Sequence, residues 1–398
     1  MRTALIAWDY PPAPSGLSTA AREIAESLVA CGAEVTVVTL DRKGVSDARG
    51  VSIVGAEPAA GGGIARLRLW GGVGHLAAPL AVRRAILAEH VSRPFDVVEA
   101  TNWYAPAALL ARRPPMALVT RNSTPAAFSR DLATRARDRF DGWAADRLEA
   151  AQARGSHGLI SNTADHGRRI AAEYGLIEGD RPHAVIGLSL APAMLVRARA
   201  ASYPETRDGE PIRILFVGRP EHRKGFDAIL GAAEILRREA DAGSLPGFAI
   251  RLAGVDAEAL EPAGPGERSR FVPLGRVPEA DLAREYEAAH AVLAPSRYES
   301  FGLVYQEGMA YGRPMVASNE DASARAFVGT TGAGSMARET TPAALADALR
   351  PVIRDPALRD SLRERALLAA GRFTRETLGR ETLALYEEAI ARFQSRKG

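Results

Sequence analysis

Lysine is nearly missing from this chain. Lys43, Lys224 and Lys397 are the only three among 51 Lys+Arg residues. The composition favours arginine so strongly that a lysine kept inside a turn calls for a reason, such as the compact charge of its ammonium. Cysteine is scarcer still. Cys31 stands alone, which excludes an internal disulfide and fits a reducing, cytoplasmic compartment. No run approaches the roughly 18 apolar residues of a membrane span, and "ALIAW" is too short for a signal-peptide core. The net charge of +3 is small for 398 residues and argues against a dedicated nucleic-acid binder. Residues 1–200 lean basic, with 24 Lys+Arg against 19 Asp+Glu. A solvated face is the first reading of that excess; a membrane surface is the less favoured partner. There is no Asp-x-Asp, no HExxH, no GxxxxGK[ST] and no GxGxxG after a strand, and the seven histidines form no cluster. The chemistry is therefore expected to need no metal, no P-loop ATP, no NAD and no other cofactor.

With 46% apolar and 25% charged residues, the chain is an ordinary globular sequence. At about 150 residues per domain, it predicts two or three domains. The first 40 residues read as strand (4–8), proline-punctuated loop (9–17), helix and second strand (34–40). Ser18 or Thr19 is the expected helix cap and Gly32 the stop. That βαβ pattern implies a parallel sheet, and "FDVVEATNW", "MALVTRNS" and "HGLISNT" repeat it. "PIRILFVG" restarts the theme, followed by "FAIRLAG", "HAVLAPS" and "PMVAS" with helical segments between. The stretch "ARAASYPETRDGEP" reads as a linker, and the C-terminal segment is all helix. The expected fold is α/β: two Rossmann-like doubly wound domains at 1–197 and 212–398, joined by a linker at 198–211. Ligands in such sheets bind outside the carboxyl ends of the strands, here in a cleft between the domains.

Two loops of the second half carry the chemistry. "FVGRPEHRKGFD" sets Arg219 and Lys224 beside Gly218 and Gly225 in one strand-to-helix loop, suited to a phosphate. Its bland alternative is a solvated basic loop, with Arg223 pointing to solvent. "HAVLAPSRYESFGLVYQEGMAYGRPMVAS" reads as strand, loop, helix, strand, with Glu299 in the loop and Glu307 about one turn into the helix. Gly302 permits close approach of the backbone to a ligand. A carboxylate on an apolar face needs a partner. For Glu307 that is either the vicinal hydroxyls of a ribose or a nearby arginine. A phosphate loop and two hydroxyl-seeking carboxylates together suggest a nucleotide sugar.

These motifs resemble the retaining GT-B glycosyltransferases of family GT4 over nearly the whole chain. "GRPEHRKG" is similar to that family's Arg…Lys phosphate loop and "ESFGLVYQE" to its Glu-x7-Glu signature. "LGRVPEADLAREYEAAHAVLAPS" and the N-terminal "WDYPPAPSGLSTAAREIAESLVACGAEVTVVT" follow its flanking patterns. The resemblance implies an intracellular enzyme that moves a sugar from a nucleoside diphosphate with retention at the anomeric carbon. Beside it, the missing metal motifs make a metal-independent reaction the expectation. UDP is the first donor expected and GDP the next. The weak basic balance without a membrane helix favours a small-molecule or natural-product acceptor over a lipid. The resemblance places Glu307 on the ribose, Arg219 and Lys224 on the diphosphate, and Glu299 on the transferred sugar. Ser300, Phe301, Gly302 and Leu303 would meet sugar and phosphate, the Arg276-Val277 backbone the base, and Gly16 the phosphate, with Gly218 completing the donor loop. It assigns the acceptor to the N-terminal domain, where Tyr10, Trp103, Tyr104, Arg121, Asn122 and Ser123 lie in post-strand loops, and implies a last helix that crosses back to that domain. The sequence departs from the family twice: Gly16-Leu17 replaces Gly-Gly, and Asn122 or Ser123 stands where a histidine is usual. A nucleotide-sugar epimerase of the same shape and a non-catalytic nucleotide-sugar binder are the competing readings.

Overall fold

The computed structural model describes residues 1–13, 15–57, 71–130, 135–207 and 209–396. Pro14 of the first loop, Asp208 of the expected linker and Lys397 lie outside them. The chain divides into two compact units, Met1–Ser189 with Thr374–Gly398, and Leu190–Phe373. Strands run β1 (Arg2–Ala7), β2 (Glu34–Thr39), β3 (Lys43–Ala48), β4 (Val51–Ala56), β5 (Val97–Thr101), β6 (Ala117–Arg121), β7 (Gly158–Ser161) and β8 (His183–Val185) in the first unit. The second holds β9 (Ile212–Val217), β10 (Phe248–Ala253), β11 (Phe271–Gly275), β12 (Ala291–Ala294), β13 (Met315–Ser318) and β14 (Gly334–Ala337). Helices of eight or more residues are α1 (Gly16–Ala30), α2 (Ala77–Ser92), α3 (Ala136–Gly155), α4 (Ala164–Tyr174), α5 (Pro192–Ala200), α6 (Phe226–Asp241), α7 (Glu279–Ala288), α8 (Leu303–Ala310), α9 (Pro342–Arg354), α10 (Pro356–Ala370) and α11 (Arg375–Ser395).

The first sheet has the order β3-β4-β2-β1-β5-β6-β7-β8, parallel except for the β3–β4 hairpin. The second has the order β11-β10-β9-β12-β13-β14 and is parallel throughout. In both, the winding reverses beside the first strand, between β1 and β5 and between β9 and β12. Loops leaving two such neighbouring strands diverge and open a crevice at the carboxyl edge. The fully buried Leu5, Val37 and Val98 and, in the second unit, Ile214, Leu252 and Leu293 show why these strands read as near-continuous apolar runs.

Two local expectations need correction, the cap of α1 and the linker with its boundary. The cap of α1 is Ser15, whose Oγ accepts the Ser18 amide at 3.0 Å, because the helix starts at Gly16 and not after Ser18. The 198–211 stretch is no open linker. Helix α5 buries Leu195 and Ala198 in the core of the second unit. Beyond it, Tyr203 Oη donates to the His290 carbonyl at 2.6 Å, and Arg313 and Arg359 donate to Ser202 O and Thr206 Oγ1. The boundary therefore falls at Ser189 and Leu190. Helix α11 packs in the first unit. Arg375 grips Glu23 with two contacts of 2.9 Å, Tyr386 Oη donates to Glu99 Oε2 at 2.8 Å, and Gly379 lies so close to α1 that a Cβ would collide with the Ser27 carbonyl.

Candidate active site

Strands β9 and β12 are hydrogen-bonded neighbours, with Ile214 opposite Ala291 and Phe216 opposite Leu293. Their loops therefore emerge side by side. Gly225 seals the contact: its φ is 72°, and a Cβ there would strike the Pro295 carbonyl oxygen. Any larger residue would be both strained and crowded.

The two loops meet through Lys224, whose Nζ pairs with Glu299 Oε1. Ser296 Oγ donates to the same oxygen at 2.8 Å, and Arg223 Nη1 lies 3.5 Å from Oε2. The Glu299 side chain is only 10% exposed. Burial pushes its pKa up, but the Lys224 and Arg223 charges and the hydrogen bonds outweigh burial and hold it below the usual carboxylate value. Arg223 is thus not a solvent-facing residue: it also donates to the Tyr298 carbonyl at 2.9 Å. Arg219 is the outward one, 76% exposed and paired with Glu221 at 2.8 Å. The structure brings Lys224 and Glu299 together, whereas Arg219 lies apart from that pair on Glu221.

A third loop, after β13, adds a residue that spacing did not reveal. Asp321, 1% exposed, accepts the Glu299 amide on Oδ1 at 2.8 Å. Its Oδ2 accepts Tyr305 Oη and the Ala324 amide, both at 2.9 Å. Burial, reinforced by the Glu299 charge, raises its pKa to about 7. Ser323 Oγ closes the frame by donating to the Glu299 carbonyl at 3.1 Å.

Glu307 lies one turn into α8, and its partner is a tyrosine, not an arginine. Tyr286 Oη donates to Oε2 at 2.7 Å, and burial raises the carboxyl to about 7 against that hydrogen bond. Tyr286 is itself fully buried and stacked on Tyr311 at 5.2 Å. Gly302, with φ 63°, is the N-cap of α8 and supplies no side-chain cap, while its carbonyl already accepts the Tyr305 amide at 3.0 Å. Ser300, Phe301 and Leu303 are half-buried around that turn. Gly218 hydrogen-bonds through its amide to Ala253 O at 2.9 Å. Arg276 is exposed after β11, while Val277 packs on the core.

In the first unit, the β1/β5 switch point carries an aromatic cluster. Trp8 Nε1 donates to the Trp103 carbonyl at 2.8 Å, and their rings meet edge-on at 5.9 Å. Trp103 contacts Tyr104 at 4.9 Å, and Tyr104 stacks on His75 at 5.2 Å. Buried Glu149 orders two post-strand loops by accepting the amides of Tyr104 at 2.8 Å and Ala126 at 3.1 Å. Burial raises its pKa to about 7. Gly16 is the exposed first residue of α1.

Four expected acceptor residues are internal. Arg121 is 4% exposed and holds Glu99 with contacts of 2.7 and 3.1 Å while donating to Thr382 of α11 at 3.0 Å. Asn122 donates to Ser161 Oγ at 2.8 Å, and Ser123 donates its amide to Asn102 Oδ1 at 2.6 Å. Tyr10 is 3% exposed, its amide donated to Asp41, and burial pushes its phenol up to about 12. These four brace the loops, whereas Trp103 and Tyr104 stay partly open.

No group of three or more metal-capable side chains occurs among the described residues. Residues 200–368 match the family described as glycosyl transferases group 1, and residues 15–188 match the glycosyl transferase 4-like domain. The chain is 28% identical to glycogen synthase of Mycobacterium tuberculosis, over 94% of this chain and 90% of that protein. It is 32% identical to D-inositol 3-phosphate glycosyltransferase 1 of Catenulispora acidiphila, over 58% of this chain and 57% of that one. Sucrose-phosphate synthase from Thermosynechococcus elongatus superposes with a TM-score of 0.74 over 98% of this chain and 99% of that chain, at 20% identity. Two doubly wound sheets, a lysine–glutamate site at the second switch point, and matches over both units converge: the chain belongs to the GT4-type glycosyltransferases with the GT-B fold.

Proposed function

We propose that the site at the β9/β12 switch point takes a nucleoside diphosphate sugar, and that the enzyme transfers its sugar, with retention at the anomeric carbon, to a hydroxyl of a small-molecule acceptor. The observation that carries this reading is the Lys224–Glu299 pair, a cation and a carboxylate from two loops at one crevice, with Glu307 on the helix that follows. Lys224, with Arg219 turned inward, meets the diphosphate; Glu307 accepts from the ribose hydroxyls; Glu299 orients the sugar. The named relatives, glycogen synthase and an inositol-phosphate glycosyltransferase, support sugar transfer from an activated donor. A cytoplasmic setting fits the single free thiol.

Departure of the nucleoside diphosphate develops charge on its β-phosphate. Fixed cations aimed at that charge act without reorganising during the step. Glu299 already holds three polar partners and a depressed pKa, so it orients the sugar and does not attack it. The acceptor oxygen then bonds to the anomeric carbon on the face from which phosphate leaves, and the departing phosphate oxygen takes the acceptor proton. The Trp8, Trp103 and Tyr104 cluster is the acceptor-facing part of the first unit.

Calorimetric titration with UDP, GDP and ADP, followed by turnover with the corresponding glucose donors, tests the reading. Binding of one diphosphate and anomer-retaining transfer are expected. Donor isomerised without any acceptor would replace it with epimerase chemistry.

A further inference from the structure

Helix α3 puts two large aromatic side chains in water. Phe140 is 52% and Trp143 55% exposed, and their rings stack at 5.7 Å with an interplanar angle of 21°. Val73, 45% exposed, belongs to the Gly72–Leu76 turn that packs against this helix, where Gly72 makes room for the Phe140 ring. Such a grouping is unusual for a surface, where single exposed apolar residues are the rule.

Arginines surround it. Arg135, Arg137, Arg139 and Arg147 are exposed, and among the described residues none has an ion-pair partner within 4.0 Å. Positions 139, 140, 143 and 147 share one helical face by their three- and four-residue spacing, and the Arg147 guanidinium lies over the Trp143 ring at 5.6 Å. Nearby acids do not cancel this charge. Asp141 faces His75 at 3.1 Å, Asp146 is held by Arg130 at 2.8 Å, and Glu149 is buried, so among the described residues of helix α3 Asp138 is the exposed acid without an ion-pair partner.

We propose that this face is a docking surface for an anionic lipid bilayer. Tryptophan and phenylalanine enter the headgroup boundary, and the unpaired arginines meet lipid phosphates. A second copy of the chain fits the face poorly, because isologous contact would set four arginines against four. The surface also explains where the basic excess of the first half goes. No helix among the described residues is long and apolar enough to cross a membrane, so the attachment is peripheral. The patch adjoins the loops proposed to face the acceptor, since His75, two residues from Val73, stacks on Tyr104.

Cosedimentation of the full chain with vesicles tests this, using phosphatidylcholine alone against phosphatidylcholine with phosphatidylglycerol. Sedimentation only with the anionic vesicles is expected. Its affinity should fall at least tenfold in Phe140→Ser/Trp143→Ser and in Arg137→Gln/Arg139→Gln, and fall with added salt. Unchanged nucleotide binding by calorimetry and an unchanged melting temperature show that the variants fold. No sedimentation with anionic vesicles, equal sedimentation with neutral ones, or no response to the aromatic variant would overturn the proposal. So would light scattering that shows an oligomer dissolved by the same substitutions, because the face would then bind protein.

Discussion

The hydroxyl of Tyr286 donates to Glu307 Oε2 at 2.7 Å, in a setting where burial raises the carboxyl pKa to about 7. The carboxylate proposed to accept from ribose hydroxyls is thus held close to its protonation point. Unfolded, Glu307 ionises near 4.5; folded, it keeps its proton to about 7. The folded state binds more protons in that window, so the contribution is full below pH 4.5 and is lost as pH rises to 7. Glu307→Gln should therefore raise the melting temperature at pH 8, by on the order of 1 kcal/mol or more in stability, while weakening nucleoside diphosphate binding by more than about 1 kcal/mol. Calorimetry with a 2′-deoxy donor checks the assignment: the variant should lose less than the wild type.

Donor affinity should follow the same ionisation with the opposite direction. A carboxylate accepts from two ribose hydroxyls more strongly than a carboxylic acid, which keeps one acceptor oxygen and turns the other into a donor, so binding should weaken as pH falls through about 7. Tyr286→Phe removes one donor that favours the charged form and should move this midpoint upward. A pH series of titrations in both proteins reads the shift.

Lys224→Ala should lower kcat/KM by about 10²–10³ with the fold intact. Glu299 would keep Ser296 and Arg223 as partners, which is why the loop should hold its shape. Circular dichroism alongside turnover separates the two effects; near wild-type turnover in a folded variant would remove Lys224 from the site.

Asp321 holds the Glu299 amide, so Asp321→Ala should reduce kcat by more than tenfold with a smaller change in nucleotide affinity. Asp321→Asn keeps an acceptor for that amide and should restore part of the loss. Equal effects on kcat and nucleotide affinity would mark Asp321 as a general scaffold residue.

Arg121→Met breaks a buried ion pair shared by β6, β5 and α11. It should destabilise the protein by about 3–5 kcal/mol by chemical denaturation, yet leave the acceptor KM of the folded fraction unchanged. A raised acceptor KM at unchanged stability would return Arg121 to the acceptor site.

Chelation by EDTA should leave transfer largely unchanged, because the chain has no Asp-x-Asp and the proposed reading gives the diphosphate to Arg219 and Lys224. Loss of activity restored by Mg²⁺ would contradict this.

Local pattern by itself determined much of this protein. Continuous apolar runs and the helices between them specify two parallel α/β units, because a strand buried on both faces and a helix with one apolar stripe are written in neighbouring residues. Gly218, Lys224, Gly225, Glu299, Gly302 and Glu307 could be singled out as candidates for the same reason: each stands in a post-strand loop or, for Glu307, one turn into the helix that follows. Tertiary structure decided what no spacing encodes. Lys224 meets Glu299 across 75 residues only because β9 and β12 are neighbours. Asp321 reaches the Glu299 amide only because β13 lies next to β12. The same holds for Arg121. It sits at the end of a strand, as an acceptor residue would, but Glu99 and Thr382, 261 positions away, draw it inward. Unpaired charge is too costly to bury, so where folding supplies a carboxylate the arginine follows it into the core.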